Sequence, residues 1–223
     1  MIKIESDCLH EKEANNLQLI IQQSFLSNVK DNLVVKFVND QVLIENHSQN
    51  SRYTIEVNHP YQFDDTDIFN KIFTQKNSRI LDCTGGLCKD TLKLEKLGHS
   101  ITVIEENPII VAMIRAFLNR NKHLKITLLY GNSFDYLKYC DYCYNYIYID
   151  TMFNNKKNTA KPKKEMEILR LICKEKILKN NLIKLSLNKC TQAVVSKDKR
   201  HDMVGLKPNY RIKTKLVSYN IFK

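Results

Sequence analysis

From Arg79 onward the chain alternates short apolar runs with helical stretches, and this alternation limits the possible fold more than any other feature. Arg79-Ile80-Leu81-Asp82 reads as a strand, Lys89 to Leu97 as a helix stopped by Gly98, and Ser100 to Glu105 as a second strand. Pro108 to Asn119 reads as a helix with its proline in the first turn. Lys125 to Leu129 and Asn145 to Asp150 read as strands, and Phe134-Asp135 as the start of a helix capped by Asp135. Lys163 to Lys179 reads as one more helix and Ala193-Val194-Val195 as a further strand-like stretch. Such alternation predicts an α/β fold, a mostly parallel sheet with helices on both faces. In sheets of that kind, ligands sit beyond the carboxyl ends of the strands. Asp82, Glu105, Gly131-Asn132 and Asp150 all fall at those ends.

Residues 1–78 read differently, as a small N-terminal α+β lobe ahead of a main domain at 79–223. A helix is predicted from about Glu11 to Phe25. Leu33 to Val38, Gln41 to Glu45 and Tyr53 to Val57 read as short antiparallel strands, with a tight turn at Asn39-Asp40. A polar connector follows, with a short helix around Asp67–Phe73.

The 223 residues are 43% hydrophobic and 26% charged, enough to bury a core, which excludes a disulfide-stapled miniprotein, a collagen-like chain and a disordered tail. No apolar run approaches membrane-spanning length. The opening Met1-Ile2-Lys3-Ile4-Glu5 does not read as a signal peptide, so a cytoplasmic location with reduced cysteines is expected. The formal charge of +11 is unevenly spread: −4 over residues 1–78, +1 over 79–151 and +14 over 152–223. A basic last third favours a polyanionic partner, although a chain with 28 Lys and 7 Arg also carries a solvated lysine surface for compositional reasons.

Asp82-Cys83-Thr84-Gly85-Gly86-Leu87 places a carboxylate before a glycine pair that enters a helix. Gly86 is expected where the backbone approaches a ligand, and Gly85 at positive φ. Neither a dinucleotide fingerprint nor a phosphate-binding loop is present. Glu105 lies at the next strand end, where an acid accepts the ribose hydroxyls of an adenosine group; Glu106 is its rival. Adenosine recognition without a pyrophosphate cradle suits S-adenosyl-L-methionine. Asn132 and Ser133 stand where the adenine edge would lie. Asp150-Thr151-Met152-Phe153 suits a base pocket: the Asp150 carboxylate and the Thr151 carbonyl accept from an exocyclic amine, and Phe153 stacks on the base. Each piece also has a plain structural reading, as an ordinary glycine turn, acids capping a helix, or a buried Phe153 beside a structural Asp150. Beyond the pocket come Lys156, Lys157, Lys161, Lys163 and Lys164, then Lys197, Lys199 and Arg200, candidate contacts to RNA phosphates. Cys140 and Cys143 form a C-x-x-C with no second pair or histidine to complete a zinc site, so no metal is expected.

Ile80 to Asp90, Leu97-Gly98, Val103 to Pro108, Tyr148 to Phe153, Lys163 to Met166 and Val194 to Lys197, in that order, resemble the bacterial small-subunit ribosomal RNA guanine-N2 methyltransferases of the RsmJ type. The resemblance implies a Rossmann-like class I methyltransferase sheet and methyl transfer from S-adenosylmethionine to a guanine exocyclic amine in 16S rRNA. It also implies ribosomal RNA or the small ribosomal subunit as partner. By it, Asp82, Gly85, Gly86 and Glu105 line the cofactor site, and Asp150, Met152 and Phe153 the guanine pocket. The chain departs from the family pattern at Thr151 and Asn154, where the family has prolines, and at Cys88, where it has glycine. Methylation of another RNA, DNA or protein, and RNA binding on a decayed methyltransferase fold, are the alternatives.

Overall fold

The computed structural model describes residues 2–29, 33–47, 53–55, 57, 66–151, 164–173, 179–201 and 205–223. In chain order its elements begin with β1 (Lys3–Ser6), α1 (Glu11–Gln22), β2 (Leu33–Val38), β3 (Gln41–Asn46), β4 (Tyr53–Ile55) and α2 (Thr66–Ile72). There follow β5 (Arg79–Asp82), α3 (Lys89–Lys96), β6 (Ser100–Glu105), α4 (Pro108–Arg120), β7 (Ile126–Tyr130), α5 (Ser133–Tyr139) and β8 (Tyr144–Asp150). The last are α6 (Lys164–Ile172), α7 (Lys179–Leu187), β9 (Cys190–Lys199), β10 (Tyr210–Lys213) and β11 (Val217–Phe222). The contacts group these into two compact units. One comprises Met1–Asn58, Asn107–His123 and Asn155–Lys174; the other comprises His59–Glu106, Leu124–Asn154 and Glu175–Lys223. Of the segment before β5, the described residues 66–78 fall in the second unit.

In the first unit β1 runs parallel to β2, and β2, β3 and β4 pair antiparallel. Asn39 and Asp40 join β2 to β3 with φ of 50° and 57°. Two positive φ angles in a two-residue loop match the twist of the flanking strands, and Asn and Asp tolerate that region better than other side chains. α1 buries Ala14, Leu17 and Ile21, a stripe at helical spacing. α4 is apolar on several sides, burying Ile109, Ile110, Val111, Met113, Ile114 and Phe117, and packs on α1 and β3. Asn107 caps it, accepting from the Ile109 and Ile110 N–H groups at 2.9 and 3.2 Å. The same side chain donates to the Ile172 carbonyl at 2.5 Å, tying α4 to the end of α6.

The second unit is built on a seven-stranded sheet of order β7-β6-β5-β8-β9-β11-β10 among the described residues. β5 to β9 are parallel, β11 runs antiparallel to β9, and β10 antiparallel to β11. The strand order reverses between β5 and β8, which makes their carboxyl ends the topological switch point. Side chains alternate between two buried layers, as the pleat requires. Ile80, Tyr146, Tyr148, Val195 and Tyr219 face α2 and α3 through Phe69, Phe73 and Leu94. Leu81, Ile147, Ile149 and Val194 face α5 and α7 through Leu137, Leu182 and Ile183.

Two readings of these elements need correction. The single helix expected over 163–179 is instead α6 ending at Ile172 and a separate α7 starting at Lys179, with residues 174–178 outside the described set. α5 is capped by Asn132, whose Oδ1 accepts from Phe134 N–H at 2.9 Å, so Asp135 is a first-turn acid and not the cap. β10 and β11 had no clear sequence signal. No helix among the described residues is long and apolar enough to cross a membrane.

Candidate functional site

At the end of β5 the Asp82 side chain is buried, 2% exposed, and accepts three hydrogen bonds. Thr84 N–H and Thr84 Oγ1 donate to Oδ1 at 3.0 and 3.3 Å, and Thr91 Oγ1 donates to Oδ2 at 2.6 Å. Burial pushes this carboxyl up to about 6; the Thr91 and Thr84 bonds pull it down, and the neighbouring Asp90 and Asp150 charges push it further up. Thr84 Oγ1 also accepts the Asp150 N–H at 2.7 Å, so one hydroxyl joins the ends of β5 and β8. Cys83 is fixed on both sides: its N–H donates to the Tyr148 carbonyl at 2.9 Å, and its carbonyl accepts from Ser133 Oγ at 2.5 Å. Burial raises the Cys83 and Cys88 thiols, which keeps them protonated and poor nucleophiles.

Positive φ, expected at Gly85, falls on its neighbour. Gly86 is the residue at positive φ, 49°. Gly85 is the point of close approach, and what it approaches is β6: its N–H donates to the Ile104 carbonyl at 3.0 Å, and a Cβ there would lie 2.7 Å from Val103 Cγ2. Gly86 N–H donates to Glu105 Oε2 at 2.8 Å. The second acid is therefore held against the glycine turn, while the exposed Glu106 accepts from the Asn132 amide at 2.7 Å. Cys88, just before α3, also sits in the left-handed region at φ 56°, a conformation glycine adopts without penalty.

At the end of β8, Asp150 pairs in register with Lys197 of β9. Lys197 Nζ lies 2.9 Å from Asp150 Oδ2 and 2.6 Å from Asp90 Oδ2, and Tyr148 Oη donates to the same Asp90 oxygen at 2.7 Å. Burial raises the Asp150 carboxyl, Lys197 opposes the rise and Asp90 adds to it, with a net upward shift. For Asp90, burial is outweighed by Lys197, Tyr148 and Lys93, and the net shift is downward. Lys197 itself is raised, because Asp150 and Asp90 together outweigh its desolvation.

The structure thus brings together Asp82, Cys83, Thr84, Gly85, Gly86, Glu105, Ser133 and Asp150, and places Glu106 and Asn132 beside them. Thr151 follows Asp150, half-buried. Met152, Phe153, Lys156, Lys157, Lys161 and Lys163 lie outside the described residues, and Lys164 is described only as the start of α6. Lys199 and Arg200 are exposed. Lys197, read from sequence as a phosphate contact, instead spans two carboxylates. Sequence reasoning missed Asp90, Thr91 and Tyr148; the small polar and acidic residues in the first turn of α3 were the available signal.

A cleft of about 580 Å³ opens at the other, amino ends of β5, β6 and β7, lined by Arg79, Lys125, Tyr136, Tyr142 and Tyr144 among others. It stands apart from the acids. Among the described residues no group of three or more His, Cys, Asp or Glu side chains is arranged to hold a metal ion.

Acids dominate the site: Asp82, Glu105 and Asp150 at strand ends and Asp90 in the first turn of α3 stand against Lys93 and Lys197. That donor set fits a ligand with cationic centres and ribose hydroxyls better than one with a pyrophosphate. A parallel sheet with this strand order, carrying acids and a glycine turn at its switch point, defines a Rossmann-like class I methyltransferase fold. It is similar to that of a SAM-dependent methyltransferase from Neisseria gonorrhoeae (TM-score 0.65, 15% identity, 99% of this chain and 95% of that one). A putative methyltransferase from Escherichia coli is also similar (TM-score 0.54, 14% identity, 76% and 90%). The family described as putative SAM-dependent methyltransferase matches residues 9–223, and the chain belongs to it. "Ribosomal RNA small subunit methyltransferase J" of Pseudomonas syringae is 33% identical over 154 residues, which are 64% of this chain and 57% of that protein. The protein of the same name from Shewanella loihica is 27% identical over 154 residues, 64% and 60%. The chain is thus a distant relative of the RsmJ type and spans less than two-thirds of these relatives' length.

Proposed function

We propose that the protein transfers a methyl group from S-adenosylmethionine to the exocyclic N2 amine of a guanine in small-subunit (16S) ribosomal RNA, free or in the small ribosomal subunit, in the cytoplasm. The observation that carries the reading is the junction of β5, β6 and β8, where Asp82, the glycine turn with Glu105, and Asp150 meet through Thr84 and Gly86. The likeness to small-subunit ribosomal RNA methyltransferases supports the substrate class.

Glu105 would hold the ribose hydroxyls, with Glu106 at the rim. Asp82 would keep the glycine turn in shape and add negative charge facing the ligand's cationic groups. Asn132 and Ser133 would bound the adenine edge. When bound, S-adenosylmethionine supplies an electrophilic methyl group on a sulfonium. Asp150 accepts a hydrogen bond from the guanine amine, and the Thr151 carbonyl accepts the other hydrogen, which directs the nitrogen lone pair out of the base plane toward the donor. As the N–C bond forms and the methyl C–S bond breaks, leaving the neutral thioether S-adenosylhomocysteine, the amine gains positive charge, and Asp150 would stabilise it and take the proton. Met152 and Phe153 would enclose the base. Lys156, Lys157, Lys161, Lys163, Lys164, Lys199 and Arg200 would hold RNA phosphates at the rim.

Asp150→Ala tests the assignment. Radiolabelled methyl transfer to a panel of small-subunit rRNA, large-subunit rRNA, tRNA, DNA and protein extract should be abolished, while calorimetric affinity for S-adenosylmethionine stays close to wild type. Equal loss of both overturns the role given to Asp150. Transfer confined to tRNA, DNA or protein overturns the substrate, and absence of cofactor binding at millimolar ligand favours a non-catalytic RNA-binding protein.

A further inference from the structure

The ammonium of Lys197 has no place in a simple basic rim. It is largely enclosed, 22% exposed, at contact distance from carboxylates on two different elements. The Asp90 end of this arrangement is anchored. Tyr148 Oη and Lys93 Nζ also reach Asp90, and the Tyr148 ring packs in the core near Phe69 and Phe73, at centroid distances of 6.2 Å from each. The backbone of Lys197 is pinned as well: its carbonyl accepts from Lys179 Nζ at 2.9 Å, and the same amine bonds Asp198 Oδ1 at 2.5 Å. A flexible side chain held at its root and its tip cannot follow a mobile phosphate, but it can fix the carboxylate opposite.

We propose that Lys197 is a positioning residue: anchored through Asp90 and Tyr148, it grips Asp150 by Oδ2 and so fixes the direction in which that carboxylate meets the substrate amine. The proposal rests on the reading of Asp150 as the amine acceptor. It follows from electrostatics as much as from geometry. Among the described residues, the groups that face Asp150 are Lys197 from β9, Asp90 from α3, Lys179 from α7, Asp82 from β5 and Tyr148 on its own strand. Among the described residues Lys197 is the cation in contact with Asp150; with its charge removed, a buried carboxylate beside two other acids takes up a proton and can no longer accept one from the amine.

The test compares wild type with Lys197→Met, Lys197→Gln and Lys197→Arg. Carboxyl ¹³C NMR follows the Asp150 titration with no substrate present. An opposite charge this close shifts a carboxylate by roughly 1–3 pH units, so the Asp150 midpoint should rise by about that much in the Met and Gln variants and return in the Arg variant. In turnover, the acid limb of kcat should move alkaline by the same interval, lowering kcat about tenfold or more along that limb, with KM for RNA unchanged. If Lys197→Met does not fold, Lys197→Gln keeps the hydrogen-bonding shape without the charge and carries the comparison. An unmoved Asp150 midpoint, or an unchanged kcat with raised KM for RNA, overturns the proposal and returns Lys197 to the phosphate contacts. A wild-type protein that methylates no RNA defeats the functional reading alone, because the NMR titration still decides whether Lys197 controls Asp150.

Discussion

Replacing Asp82 with Asn should make the protein more stable at neutral pH while damaging its ligand site. The folded chain raises the Asp82 carboxyl from its ordinary 3.8 to about 6, chiefly because burial strips it of water. A carboxyl raised in this way binds its proton more tightly when folded than when unfolded. Its contribution is therefore fully present below about 3.8 and is lost as pH rises through about 6. Two pH units correspond to about 3 kcal/mol, of which roughly half falls between pH 5 and pH 8. Asn has no charge to desolvate. Its carbonyl can still accept from Thr84 N–H, and its amide can donate to a rotated Thr91 hydroxyl. Urea unfolding of both proteins at several pH values should show the variant gaining on wild type as pH rises, by about 1–2 kcal/mol from pH 5 to pH 8. Asp150 and Asp90 titrate in both proteins and drop out of the difference to first order. Parallel stability curves, or a variant that falls further behind at pH 8, would refute the assignment of a desolvated charge at Asp82.

Gly85→Ala forces a Cβ to within 2.7 Å of Val103 Cγ2, in a packed contact between the turn and β6. Overpacking of this kind costs about 1–3 kcal/mol, which thermal unfolding would detect, and weaker S-adenosylmethionine binding should accompany it. Asn132→Ala removes the α5 cap and the amide bonded to Glu106. It should cost about 1 kcal/mol in urea unfolding, with methyl transfer reduced far less than by Asp150→Ala.

The elements with strong local chemistry were legible in the sequence. Asn39-Asp40 announced a two-residue hairpin, Gly98 ended α3 at φ 91°, and Pro108 opened α4. The acids at strand ends were legible too, because parallel strands bring their carboxyl ends to one edge. The packing of Gly85 on β6 was not, since a close approach depends on which side chain of β6 lies opposite. Lys197 was misread for a similar reason. It stands 107 positions from Asp90, and only the register of β9 on β8 sets it across from Asp150. In sequence it looked like one more cation in a basic third. The two-helix arrangement of α6 and α7 was hidden because the lysine-rich 163–179 segment contains no glycine or internal proline after Pro162 to punctuate it.

The central claim is that this fold methylates a guanine amine in small-subunit ribosomal RNA. Nucleoside mass spectrometry on 16S rRNA, from cells with the gene deleted and again after complementation, tests it most directly. The account predicts that one N2-methylguanosine disappears on deletion, returns with the wild-type gene and stays absent with Asp150→Ala. An unchanged nucleoside profile in the deletion strain would contradict it.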